Sequence, residues 1–88
     1  MDKEFYVYIL RCGDGTLYTG STDNVQKRLQ LHRSGRGAKY TRGRGPLELV
    51  YVEHLSSRSE ALKRECFIKR LTRLQKEHLI SGFTNSDF

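Results

Sequence analysis

Apolar residues along this chain change from one period to another, and the changes mark the elements. Phe5 to Cys12, FYVYILRC, is an almost unbroken run of aromatic and β-branched residues, the composition of a strand buried on both faces. Gly13-Asp14-Gly15 follows with turn chemistry, since Gly accepts positive φ and Asp can bond its own backbone. Leu17 to Ser21 then returns as a shorter strand, so Phe5 to Ser21 reads as a β-hairpin around which the rest of the chain is arranged. With a loop at residues 13–15, Tyr8 and Tyr18 share parity about the turn. They project from one face as diagonal neighbours, beside the bare backbone of Gly20. On the hairpin alone, ordinary packing accounts for two tyrosines next to a glycine.

After the hairpin the period lengthens. Ser21-Thr22-Asp23 supplies N-cap chemistry for a helix from about Asn24 to Ser34, with Val25, Leu29 and His32 on one stripe. Arg28 sits at the stripe's edge, one turn before His32, and Gly35 and Gly37 end the helix. Leu47 to His54 alternates as a third strand. Ser57 with Glu60 is a capping-box pattern opening a helix from about Arg58 to Leu71. Thr72 with Gln75 is a second such pattern, starting a short helix to about Ile80 that Gly82 closes. The order β-β-α-β-α-α implies a small antiparallel sheet with helices packed on it, an α+β fold. One domain over residues 1–82 is expected, with 83–88 as a frayed tail.

Composition narrows the classes. The chain has 88 residues, 36% of them hydrophobic, enough for one modest core. No run approaches the roughly 18 apolar residues of a membrane span, and MDKEFYVY lacks the pattern of a signal peptide. A cytoplasmic protein without membrane contact is expected. Cys12 and Cys66 fit no zinc or Cys-x-x-Cys pattern and read as two reduced, partly buried thiols. The formal net charge is +6, and its placement matters more than its size: Asn24 to Leu47 holds seven cations (Lys27, Arg28, Arg33, Arg36, Lys39, Arg42, Arg44) and no acid. A continuous positive surface is the footprint of a polyanion partner; a solubilising face is the plainer reading. Residues 35–46, GRGAKYTRGRGP, form a glycine-rich basic loop with one aromatic, Tyr40. Such a segment cannot pack as core, and its free amides, arginines and stackable ring suit a nucleic-acid backbone.

One carboxylate falls on an unexpected face. On a wheel at about 100° per residue, Ala61, Leu62, Cys66 and Ile68 span one arc of the second helix, with Glu65 in its middle and Lys69 one turn on. A lone carboxylate there is expensive to bury unless paired or bound to a cation. An i,i+4 ion pair with Lys69 at the core's edge is one reading. A metal ligand or general acid/base facing the sheet is the other, and one carboxylate with waters and substrate phosphate suits Mg²⁺. With the hairpin tyrosines, Arg28 and His32, Glu65 completes a set able to hydrolyse a phosphodiester, which needs a base, a cation for developing charge and stabilisation of the leaving oxygen.

This ordered series resembles the GIY-YIG nuclease superfamily, in its small single-domain bacterial branch. Tyr6-Val7-Tyr8 stands where the GIY motif would be and Tyr18-Thr19-Gly20 where YIG would be. Arg28 and His32 lie in a segment similar to the family's Arg-containing first helix, and Glu65 in Ala61-Leu-Lys-Arg-Glu65 matches its metal-binding glutamate motif. Tyr6 replaces Gly and Thr19 replaces Ile, while the downstream Asn of many members has no clear equivalent, Lys69 being the nearest polar candidate. The resemblance implies a three-stranded antiparallel sheet flanked by helices and one divalent metal, Mg²⁺ or Mn²⁺, per site. It implies Tyr8 as general base or water-positioning group, Tyr18 assisting, Arg28 stabilising the pentacovalent phosphate, His32 orienting or sharing protons, and Glu65 holding the metal. An ordinary tyrosine pKa near 10 makes a poor base at pH 7, so nearby cations are expected to lower it.

The resulting expectation is a metal-dependent endonuclease acting on DNA, directed by structure with weak sequence preference. Lys27, Arg33, Arg36, Lys39, Tyr40, Arg42, Arg44 and Lys69 are the expected nucleic-acid contacts. RNA stays open as a partner, a protein partner supplying specificity is allowed for, and a monomer is favoured over a dimer. The competing readings are a non-catalytic nucleic-acid-binding protein of the same fold and a small interaction protein.

Overall fold

The structure is a computed structural model that describes residues 4–37 and 39–83, with Lys39 covered by its backbone alone. Strand β1 (Phe5–Arg11) is the middle strand of a three-stranded antiparallel sheet, with β2 (Leu17–Thr22) on one side and β3 (Glu48–Leu55) on the other. That central position is why β1 is apolar on both faces: Val7 and Ile9 are fully buried on one, Tyr8 and Leu10 on the other. The turn closes with Gly15 at positive φ and Asp14 Oδ1 accepting the Thr16 N–H at 3.1 Å. Tyr8 lies opposite Gly20 and Leu10 opposite Tyr18. The two tyrosines are therefore same-face diagonal neighbours, as the parity argument requires.

Each face carries helices. Helix α1 (Val25–Arg33) packs Val25 and Leu29 against Tyr8, Leu10, Cys12, Leu47 and Leu49. Its cap is Asn24 rather than the preceding Ser-Thr-Asp triplet: Asn24 Oδ1 accepts the Lys27 N–H at 3.0 Å, and Thr22 Oγ1 steadies Asn24 from behind. Helices α2 (Arg58–Lys69) and α3 (Arg73–Ser81) cover the other face, where Ala61 and Ile68 meet Val7, Ile9 and Val50, with Leu71, Leu79 and Ile80 alongside. Ser57 caps α2, and a complete Thr72–Gln75 capping box starts α3, which Gly82 closes. Arg11 grips Glu77 with two hydrogen bonds of 3.0 and 3.2 Å, fastening α3 to β1. The order is β-β-α-β-α-α and the class α+β, as read from the pattern.

Four further expectations change. Leu62 is 51% exposed and Cys66 is exposed too, because α2 rests on the sheet along its Ala61–Ile68 line. A wheel fixes a helix's period but not the angle at which it docks. Helix α2 also stops at Lys69, two residues early. The basic loop is not all surface: a 3₁₀ turn over Lys39–Thr41 buries Thr41 to 2% exposure. Phe83, assigned to the tail, meets the Tyr51 ring at a tilt, with centroids 5.9 Å apart; the rest of that tail, 84–88, lies outside the described residues.

Candidate active site

The α1 face of the sheet holds a buried polar line. Tyr8 Oη lies 2.8 Å from His32 Nε2, and His32 Nδ1 lies 2.9 Å from Thr41 Oγ1. All three residues are 2% exposed. Each element supplies its member for a local reason. Tyr8 is inward on the central strand, His32 occupies the apolar stripe of α1 one turn after Arg28, and the 3₁₀ turn folds Thr41 back onto the imidazole. A Cβ at Gly20 would stand 2.6 Å from Tyr8 Oη and 3.1 Å from the Tyr18 ring, so only glycine leaves the phenol its place. Tyr18 extends the cluster outward, edge-on to His32 at 5.2 Å and stacked on Tyr40 at 5.8 Å, while Arg44 lies over the Tyr40 ring at 4.5 Å.

Burial sets the electrostatics here. It pushes the Tyr8 phenol up to about 12, against the opposing pull of Arg28, with Tyr18 and Glu65 adding to the rise. The expectation that cations lower this pKa is thus reversed, because desolvation of a phenolate at the centre of the sheet outweighs one guanidinium. Burial, then the Arg28 charge, lowers the His32 pKa, so the imidazole is neutral at pH 7. In the tautomer with its proton on Nδ1, His32 donates to Thr41 and accepts from Tyr8 through Nε2. Arg28 interacts with both Tyr8 and Tyr18, whose hydroxyls raise its own pKa further.

Glu65 approaches from the other side. It belongs to α2, and it meets the first group at the edge strand β2, where Ser21 Oγ donates to Oε1 at 2.6 Å. Lys69 Nζ lies 2.7 Å from Oε2, so the i,i+4 pair is formed. Burial raises the Glu65 pKa, but the bonds from Lys69 and Ser21 and the Lys69 charge outweigh it and hold the carboxyl below its usual value. The donor set is one ionised carboxylate with a hydroxyl beside it. Among the described residues no group of three or more His, Cys, Asp or Glu is arranged to hold a metal alone. That fits a hard cation completing its shell with waters and substrate phosphate, and not a zinc-type cage.

The structure brings Tyr8, Tyr18, Arg28 and His32 into one cluster, with Glu65 at its rim. Of the expected nucleic-acid contacts, Tyr40, Arg44 and Lys69 join this neighbourhood. Arg33 reaches the Leu47 carbonyl at 3.4 Å, while Lys27, Arg36 and Arg42 are exposed. The Lys39 side chain lies outside the described set. The positive stretch is not free of acids in space, since Arg44 pairs with Asp14 from the hairpin turn. Ser21 and Thr41 escaped the sequence reading. Ser21 was read only as strand end and N-cap chemistry and Thr41 only as loop, and each is recruited to the site by a partner from another element.

Fold and site together define a compact catalytic domain of the GIY-YIG kind. The family model described as the GIY-YIG catalytic domain matches residues 4–78, and the chain belongs to this family of endonuclease domains. Within it, the chain is 56% identical over 80 residues to a UPF0213 protein of Oceanobacillus iheyensis, covering 91% of this chain and 93% of that one. It is 52% identical to a UPF0213 protein of the archaeon Natronomonas pharaonis, over 96% of this chain and 99% of the other. Among solved structures it is similar to the solution NMR structure of a UPF0213 protein from Bacillus halodurans, with TM-score 0.60, 49% identity and coverage of 93% and 87%. A protein from E. faecalis, also solved by NMR, gives TM-score 0.63 at 44% identity, covering 94% and 91%.

Proposed function

We propose that this chain is a divalent-metal-dependent endonuclease that hydrolyses DNA, guided by strand structure more than by sequence. The observation that carries the proposal is the Tyr8 hydroxyl held 2.8 Å from a buried, neutral imidazole. With a pKa of about 12, Tyr8 is phenolate in only about one molecule in 10⁵ at pH 7, so it cannot act as a base alone. The pair can. Water attacks phosphorus and gives a proton to Tyr8 Oη as the Tyr8 hydroxyl proton passes to His32 Nε2. The Thr41 hydroxyl, 2.9 Å from Nδ1, can accept the Nδ1 proton in the tautomer that leaves Nε2 free to accept. Arg28, beside both phenols, meets the charge that develops on the phosphorane oxygens. The P–O3′ bond then breaks, and the leaving oxygen takes its proton from solvent. Glu65, with the Ser21 hydroxyl alongside, would hold one Mg²⁺ or Mn²⁺, which would supply neutralisation of the charge developing on the leaving group. Action as a cytoplasmic monomer on DNA accompanies this reading.

One observation favours a second reading. Lys69 already neutralises Glu65, so a protein that binds nucleic acid without cutting it needs no metal at this place. The test is a panel of labelled single-stranded, duplex, nicked and branched DNAs, with Mg²⁺ or EDTA, run beside Glu65→Gln. Mg²⁺-dependent cleavage lost in the variant supports the nuclease. Binding without cleavage, equal in both proteins, sinks it and leaves the second reading.

A further inference from the structure

The reacting cluster opens sideways into a cleft that the mechanism leaves unused. It lies along the outer edge of β2, has a volume of about 250 Å³, and is lined by Leu17, Tyr18, Thr19, Tyr40, Lys69 and Lys76. Its walls are of two kinds. Tyr18 and Tyr40 offer an offset aromatic pair, with Tyr40 43% exposed although it is a large ring. Lys69 and Lys76 place two cations at the other side. Thr19 completes the lining between them.

We infer that this cleft is a subsite for a single unpaired nucleobase, its ring against Tyr18 and Tyr40 and its flanking phosphates on Lys69 and Lys76. The inference rests on the nucleic-acid-cleaving reading and narrows its substrate to strands with a splayed or single-stranded nucleotide. A duplex gives the two rings nothing, because its base faces are already covered by neighbours, whereas an unpaired base brings a free face. Lys69 is shared with Glu65, so the bound base stands next to the nucleotide whose phosphate is cut.

The test places 2-aminopurine in a short single-stranded DNA and follows its fluorescence during titration with the full chain in EDTA, where no cleavage occurs. The same probe in a blunt duplex is the comparison. Wild type and Tyr40→Phe are expected to quench the single-stranded probe and bind it about tenfold more tightly than Tyr40→Leu, which loses the quench. Tyr40→Phe keeps the stack and separates stacking from a structural role for the loop. Lys76→Ala should flatten the slope of log affinity against log salt by about 0.7. Equal quenching by Tyr40→Leu, or tighter binding to duplex than to single strand, overturns the subsite. Quenching intact but no Mg²⁺-dependent cut overturns the nuclease and leaves the base subsite standing.

Discussion

The two faces of the sheet bury their residues equally and use that burial differently. Against α2 and α3 the filling is apolar, with Val7, Ile9, Ile68 and Ala61 at 0–1% exposure. Against α1 the same depth holds Tyr8, His32 and Thr41 at 2%, joined by hydrogen bonds. On the first face, removing atoms from water yields stability at roughly 25 cal/mol per Å² of apolar surface. On the second, which has its own apolar cluster around Leu10, Val25 and Leu29, loss of water also alters proton affinities, raising Tyr8 and lowering His32. The sheet thus has one wholly apolar face and one where a buried polar line is set into the apolar packing, with one central strand serving both.

The sharpest attempt to break this division is Tyr8→Phe, which keeps the ring and removes the hydroxyl. Cleavage is expected to fall by about 10² to 10⁴-fold, read by single-turnover rates. Unfolding in urea should show a cost of only about 1–2 kcal/mol, for a His32 nitrogen left without its partner. Next in size is Ile68→Ala on the opposite face, fully buried at present. It should cost about 2–5 kcal/mol in the same urea experiment, while the cleavage rate of molecules still folded falls far less than in Tyr8→Phe. If both variants lose stability equally, or both lose cleavage equally, the faces do not differ as described.

The same division decides what could be read from the chain. Strand β1 announced burial on both faces by composition, and hairpin parity placed Tyr8 beside Tyr18 because a period of two leaves little freedom once the turn is known. His32 was legible as well, since it falls on the stripe of Val25 and Leu29. Thr41 was not. It sits in a glycine-rich basic stretch whose composition speaks for solvent, yet it is buried with its hydroxyl on the imidazole, a bond that no local pattern encodes. Leu62 and Cys66 failed for a related reason: the docking angle of α2 is set by what the sheet presents. The Tyr8 pKa was misjudged in direction, because charge can be counted along a sequence and desolvation cannot.

A smaller effect follows from the tuned face. The folded Tyr8 pKa is raised, from 10.0 to about 12. A neutral phenol is favoured by the fold, so its stabilising contribution is complete below pH 10 and is lost as pH rises through 10 to 12. The two-unit shift corresponds to about 2–3 kcal/mol. Because Tyr51 is pushed up to about 12 as well, the measurement is the difference in unfolding free energy between wild type and Tyr8→Phe from pH 9 to 12. That difference should shrink with rising pH; a constant difference means that Tyr8 is not desolvated by the fold. On the acid side His32, lowered by burial, has the opposite course: its contribution is complete above pH 6.5 and is lost as pH falls below it.

The smallest expected change in stability lies where the faces meet, at the edge of β2. Lys69 is 53% exposed in its side chain and Glu65 18%, and an i,i+4 pair of this kind stabilises by only about 0.3–0.5 kcal/mol. Lys69→Met should therefore leave urea unfolding almost unchanged. Its consequence for the carboxylate is larger. Without the ammonium, Oε2 is open to another cation, and Mn²⁺ affinity measured by calorimetry should tighten by a few-fold. Unchanged affinity means that Lys69 and the metal do not compete for Glu65. A large loss of stability means instead that the pair belongs to the fold, as the apolar face does, and not to the chemistry.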